Sequence, residues 1–189
     1  MSVVAPIPAD QAPLLARPFY AGGDPGPIAA TLAHVPELME VTLPFVSTAL
    51  SPSAVDARTK EIVIVRTSAI LGCRYCVDTH TPVAIDAGLT VDEVRSLRME
   101  PGPGVDEVFG SERERALVAW TDEVAGGRGR VQADLTRALR THVSDHELVE
   151  LTVLVGATML LNRYATALEL PVSAGTLARL GAAGFETGS

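Results

Sequence analysis

Apolar positions along this chain recur mostly every three or four residues, the spacing of one helix face, and seldom alternate as a half-buried strand would. Short helices are expected over 28–33 and 36–50, the second with Pro36 at a tolerated first position. Residues 53–71 (SAVDARTKEIVIVRTSAIL) read as a longer helix, with Ser53 as its cap and Asp56 in its first turn. The IVIV stretch alone would permit a strand; the length of the segment and its flanking helix formers favour helix. A further helix spans 73–87 and stops at Gly88, and Pro82 inside it predicts a kink or break near Thr81. Thr90 and Glu93 form a capping box that opens a short helix to about Met99. The PGPG of 101–104 is a loop.

A second box, Ser111 with Glu114, starts a helix through Val124 that puts Leu117, Trp120 and Val124 on one core-facing side. GGRGR (126–130) is a turn and 131–142 is helical. A third box, Ser144 with Glu147, opens the most apolar helix, 148–168, which is apolar nearly all round and is therefore expected at the centre. Pro171 ends it, and a short helix covers 173–182. With no strand pair and no hairpin turn, the fold class is all-α. Residues 1–27, rich in Pro and Gly, read as an irregular arm packed over the body; 28–189 form one helical domain.

Composition narrows the function classes. Apolar residues make up 47% of the 189 and aromatics only 4%, which suits packed helices and leaves apolar faces for a homo-oligomer interface. The net charge is −8 and no Lys/Arg run occurs, which argues against nucleic acid as a partner. The N-terminal stretch lacks a basic segment followed by an unbroken apolar one, so no signal peptide is read. The longest uncharged apolar run, 151–162, is shorter than the roughly 20 residues a membrane-spanning helix needs. A cytoplasmic location away from the membrane is the resulting expectation, and there a CxxC is more often catalytic or metal-binding than a permanent structural disulfide.

Both cysteines lie in GCRYCVDTH, residues 72–80. On a helix Cys73, Cys76 and His80 are spaced i, i+3, i+7 and line one stripe. A CxxC at a helix start can close into a disulfide without moving the backbone far, and the helix N-terminus favours thiolate. Histidine titrates near neutral pH, so His80 can accept a thiol proton or, when charged, stabilise the thiolate. Arg74 adds nearby positive charge. Glu61, at the head of the IVIVRTSAIL run, shares a helix face with Ser68 and is costly to bury without a partner. His80 would serve as that partner, with Glu61 orienting the imidazole. The same residues leave a zinc site open, with Cys73, Cys76, His80 and Glu61 as four ligands, although no second ligand pair accompanies them. A non-catalytic scaffold and two core cysteines beside an unrelated histidine are further readings. His34, His142 and His146, near helix ends, read as surface; Asn162 and Arg163 read as lining a pocket or subunit interface.

Glu61-x11-Cys73-x2-Cys76-x3-His80, with Ser68 between, resembles the core motif of the AhpD-like alkylhydroperoxidases of the carboxymuconolactone decarboxylase superfamily. HTPVAIDAGLTVDEV, ERALVAWTDEV and LLNRYATALELPV resemble the same group, so the likeness covers about residues 30–172. It implies an AhpD-like helical bundle, assembly into trimers or larger rings such as hexamers, and a thiol-dependent peroxidase activity. In that chemistry Cys76 attacks the peroxide, Cys73 resolves the sulfenic acid to a disulfide, and Glu61 with His80 relays protons. Helix-start electrostatics alone would favour Cys73 as the attacking thiol. No bound cofactor is implied; an external dithiol reductant, in the archetype a lipoyl group on a partner enzyme, restores the thiols. The best-known member has a histidine between the cysteines where this chain has Tyr75, a poor base at neutral pH. A disulfide oxidoreductase without peroxidase activity is the nearest alternative; a lactone decarboxylase would need no thiol pair.

Overall fold

The computed structural model describes residues 2–127 and 129–186; Met1, Arg128 of the expected 126–130 turn, and residues 187–189 lie outside the described residues. Ten α-helices and no strand occur among the described residues, which confirms the all-α class. In chain order they are α1 (Gly26–Leu32), α2 (Pro36–Leu50), α3 (Ala57–Ile70), α4 (Arg74–Asp86), α5 (Val91–Leu97), α6 (Val105–Val108), α7 (Glu112–Gly126), α8 (Ala133–Arg140), α9 (Asp145–Ala167) and α10 (Ala174–Ala182). The single turn of α6 has no expectation in the sequence pattern. It follows the PGPG loop with Gly104 as N-cap and two acids, Asp106 and Glu107, in its first turn.

The central helix is α3 rather than the expected α9. Buried residues follow one another on α3 almost without interruption from Thr59 to Ser68, and it packs against α4, α7 and α9. Ile62, Val63, Ile64 and Val65 meet Leu117 and Trp120 of α7, Leu151 and Leu154 of α9, and Leu97 of α5 in the main core. Full burial of each such aliphatic side chain stabilises the fold by about 1.5–3 kcal/mol. α9 has an exposed side that carries Val149, Val153 and Leu160. By length and composition alone α9 could cross a membrane; in this fold its other side packs against α2, α3, α4 and α7.

Local chemistry sets the helix ends. The capping boxes at Thr90/Glu93 and Ser144/Glu147 form as expected. The one expected at Ser111 does not: the Ser111 hydroxyl makes no cap bond, and Glu114 is taken by Arg58, whose Nε lies 2.8 Å from Oε1. Ser53 does not cap α3 either. Its hydroxyl donates to Glu150, and the cap lies three residues later at Asp56, whose carboxylate accepts from the Thr59 N–H at 2.8 Å and the Thr59 hydroxyl at 2.9 Å. No break occurs at Pro82; α4 runs through it as one continuous helix. The Thr81 hydroxyl bonds back to the Val77 carbonyl at 2.8 Å, and Arg179 of α10 holds the Pro82 carbonyl at 3.1 Å.

Residues 2–25 wrap the body through two short 3-10 turns, Ala9–Gln11 and Arg17–Tyr20. Their contacts are specific: Val3 N–H donates to the Leu168 carbonyl, Ile7 N–H to the Ala30 carbonyl, and the Tyr20 hydroxyl to the Ile7 carbonyl.

Candidate functional site

Gly72 positions the cysteines. It takes φ +66°, a conformation that favours glycine, and closes α3 with two reversed bonds, Gly72 N–H to the Ala69 carbonyl and Cys73 N–H to the Ser68 carbonyl. The chain therefore turns within a residue and Cys73 becomes the N-cap of α4. Its sulfur accepts the Cys76 N–H at 3.3 Å, one of the free donors of the first helical turn. The two sulfurs are joined as a disulfide across a Cα–Cα distance of 5.4 Å.

The third member of the stripe, His80, sits one turn beyond Cys76. Its Nδ1–H donates to Glu61 Oε2 at 3.0 Å, with Oε1 at 3.3 Å. Glu61 comes from the second turn of α3, which lies along α4. The four residues singled out by spacing thus form two pairs joined by α4: the Cys73–Cys76 bridge at its start, and Glu61 against the His80 imidazole one turn beyond Cys76. Cys73 is fully buried, Cys76 is 5% exposed, and Glu61 is buried while the His80 ring keeps some solvent contact. Because Nδ1 is engaged by the carboxylate, Nε2 is the ring nitrogen left for proton exchange.

Around the sulfurs the packing is apolar. Ala165 and Leu170 follow from α9 and its exit, and Tyr75, Tyr164, Leu168 and Ile28 complete the shell. Burial pushes the Tyr75 phenol above its ordinary value, against a smaller opposing effect of a hydrogen bond with Thr79. Tyr75 is accordingly a weaker acid than a free tyrosine, and even less of it is in the phenolate form that could accept a proton at neutral pH.

Several side chains differ from their expected placement. Arg74 turns away from the sulfurs to Asp78, Nε to Oδ2 at 3.3 Å. Asn162 lines no surface: it is 1% exposed and its Nδ2 donates to Ser68 Oγ at 3.0 Å, just behind the turn into Cys73. Arg163 is exposed, as are His34, His142 and His146. For the zinc alternative, no three His, Cys, Asp or Glu side chains converge as a ligand set among the described residues, and Glu61, the fourth ligand it would use, is turned to His80 Nδ1. The sequence reading passed over Asp78 and Arg98. Asp78 is buried on the side of α4 facing α5, held by Arg98, which also donates to Thr81 at 2.7 Å and lies 4.9 Å over the Phe185 ring. This cluster fixes the rotation of α4 and hence the direction of its cysteine stripe; the i, i+4 spacing of Arg74 and Asp78 was its one sequence signal.

Residues 36–123 match the carboxymuconolactone decarboxylase family, a span that contains Glu61, Cys73, Cys76 and His80. The uncharacterized protein YdfG of Bacillus subtilis is 26% identical over 117 residues, 61% of this chain and 77% of that protein. Among solved structures, protein ATU0492 of Agrobacterium tumefaciens, of unknown function and provisionally assigned as an antioxidant defence protein AhpD, is 29% identical with a TM-score of 0.66 over 76% of this chain and 97% of that one. A peroxidase-related protein with an alkylhydroperoxidase AhpD core from Ralstonia eutropha JMP134 shares the fold at 19% identity and TM-score 0.73, covering 92% and 96% of the two chains. The debrominase Bmp8, solved with 2,3,4-tribromopyrrole, shares it at 17% identity and TM-score 0.77 over 97% and 98%. Residues 36–123, the span that holds all four site residues, are thus similar to the carboxymuconolactone decarboxylase family, and the helical fold is that of AhpD-like proteins.

Proposed function

We propose that this chain is a thiol-dependent hydroperoxide reductase in antioxidant defence. The observation that carries the reading is the His80–Glu61 hydrogen bond on the same helical stripe as a Cys73–Cys76 pair able to bridge. His80 Nε2 takes the Cys76 proton. The thiolate then attacks the distal peroxide oxygen, the O–O bond breaks, and the products are a Cys76 sulfenic acid and an alkoxide, which takes a proton to become an alcohol. The Cys73 thiol displaces the sulfenic oxygen as water and leaves the disulfide. A dithiol of a partner protein, of lipoyl type, attacks Cys76 and expels the Cys73 thiolate, which the Cys76 N–H and the helix N-terminus stabilise. The donor's second thiol releases Cys76 and is itself oxidised to a disulfide. Residual exposure and the place one turn before His80 both favour Cys76 as the attacking sulfur.

Assembly as a homo-oligomer, a trimer or hexamer, is part of the same reading. Leu38, Val41 and Phe45 are exposed along α2, and Val149, Val153 and Leu160 along its neighbour α9. In equilibrium sedimentation Val153→Glu should shift the mass towards the monomer; an unchanged mass would remove this face from the interface.

Trapping the intermediate checks the chemistry. Reduced Cys73→Ser protein given one equivalent of cumene hydroperoxide and dimedone should carry the adduct on Cys76, and Cys76→Ser protein should carry none on Cys73. An adduct confined to Cys73 would reverse the order, and no adduct in either variant would leave the disulfide oxidoreductase as the better reading.

A further inference from the structure

Asn162 of α9 is a polar side chain in the core that the redox chemistry described above does not use. It is buried, as is its partner Ser68 near the end of α3, 94 residues away in sequence. The Asn162 Nδ2–H donates to Ser68 Oγ at 3.0 Å. The other end of the carboxamide, Oδ1, is buried with no hydrogen-bond partner among the described residues. So is Thr158 Oγ1, one turn earlier on the same side of α9. A buried acceptor left unpaired lowers stability, and an apolar side chain of similar size would avoid that cost. Stability alone therefore does not account for an asparagine at this place.

The bond reaches the cysteines by two routes. Ser68 accepts Asn162 through its hydroxyl and the Cys73 N–H through its carbonyl, the latter at 2.9 Å. One residue thus ties α3 to α9 and holds the turn in which Gly72 leads into Cys73. Three residues beyond Asn162 on the same side of α9, Ala165 lies in one apolar cluster with Cys73 and Cys76. When the bridge opens, its sulfurs part from bonding distance to van der Waals separation. Cys73 is fully buried, so the room must come from the Cys73 turn or from α9 at Ala165. The Asn162–Ser68 bond joins those two bodies and resists the movement.

We propose that Asn162 and Ser68 are positioning residues for the Cys73–Cys76 couple: their bond holds the Cys73 turn in the bridged geometry and makes the disulfide harder to reduce. The inference rests on the redox-active pair of the proposed function and not on peroxide as its oxidant. With the turn anchored, the two thiols of the reduced protein stay at high effective concentration and reclose readily. With it released, Cys73 moves off and the dithiol is favoured. In equilibrium with dithiothreitol, two electrons and two protons pass to the Cys73–Cys76 bond, which opens to two thiols, while the reagent's own dithiol closes to a cyclic disulfide.

That equilibrium is measured on the full chain at fixed pH with no hydroperoxide present. Ser68→Ala removes the acceptor, and Asn162→Leu removes the donor at nearly constant volume. Each should favour the dithiol about tenfold, which for a two-electron couple is about 30 mV towards easier reduction. The double variant should shift no further than one single variant, because the two side chains act through one bond. In urea titrations each variant should lose more stability in the oxidised than in the reduced form. A bond with only a structural role would weaken both forms equally and leave the dithiothreitol equilibrium unchanged. That result overturns the assignment, as does a double variant that shifts by the sum of the two. The wild type gives a check that needs no variant to fold: by reciprocity the bridge should protect the bond that favours it. The Asn162 side-chain amide protons should then exchange with solvent more slowly in the oxidised than in the reduced protein, and equal rates overturn the assignment too. If the equilibrium shifts as expected but no hydroperoxide oxidises the thiols, the positioning role stands and the peroxidase reading falls.

Discussion

At the residue scale the proposed proton relay rests on one hydrogen bond. A neutral imidazole carries a single N–H, and at His80 the Glu61 carboxylate holds it on Nδ1, leaving the Nε2 lone pair for a thiol proton. An amide in place of the carboxylate keeps the shape and loses the charge that stabilises the imidazolium formed on proton transfer. Glu61→Gln should therefore slow hydroperoxide-dependent thiol loss about a hundredfold, within the range of a positioned acid–base group. Glu61→Asp, with its shorter reach, should retain more activity than Glu61→Gln; stopped-flow measurements on the two variants would show it. Gly72 makes a separate prediction. Its φ of +66° suits a residue without Cβ, so Gly72→Ala should cost roughly 1 kcal/mol in urea unfolding. A cost near zero would mean that the turn into Cys73 relaxes.

At the element scale, features written in adjacent residues were legible and those that depend on distant partners were not. The stripe of Cys73, Cys76 and His80 follows from helical spacing alone, and the capping boxes at Thr90 and Ser144 each need only four consecutive residues. Ser111 carries the same signal, but Arg58, 56 residues away, captures Glu114. Ser53 fails for a similar reason: Glu150 of α9 claims its hydroxyl, and Asp56 makes the stronger cap. Lys60 of α3 is 1% exposed, and its Nζ donates to the Ala49 and Ser51 carbonyls and pairs with Glu150. Removing it leaves Glu150 and two carbonyls without their donor, so Lys60→Met should destabilise the fold by about 3–5 kcal/mol in a denaturant titration. A loss under 1 kcal/mol would mean that water replaces the ammonium.

At the scale of the whole molecule the carboxylates link stability to pH. Burial pushes Glu93 up, but Arg58 and the Thr90 N–H outweigh it and hold the carboxyl below its ordinary range. Glu150 behaves alike under Lys60 and Ser53, and Asp56 under the Thr59 N–H and hydroxyl. Glu147 is lowered by the Ser144 N–H and hydroxyl. A carboxyl with its pKa depressed by folding contributes stability that is fully present above its unfolded-state pKa, about 4, and is lost as pH falls through the lower folded value. The urea midpoint should thus be insensitive to these groups between about pH 6 and 7 and fall steadily below about pH 4. Glu147→Gln should flatten part of that decline.

The redox account of the molecule meets its sharpest check in the reduced wild-type protein mixed with one equivalent of cumene hydroperoxide, followed by free-thiol assay and intact mass. The account predicts rapid loss of both thiols, one equivalent of alcohol, and a mass lower by the two hydrogens of a single Cys73–Cys76 disulfide. Thiols that persist, or that disappear no faster than those of a free cysteine, would contradict it.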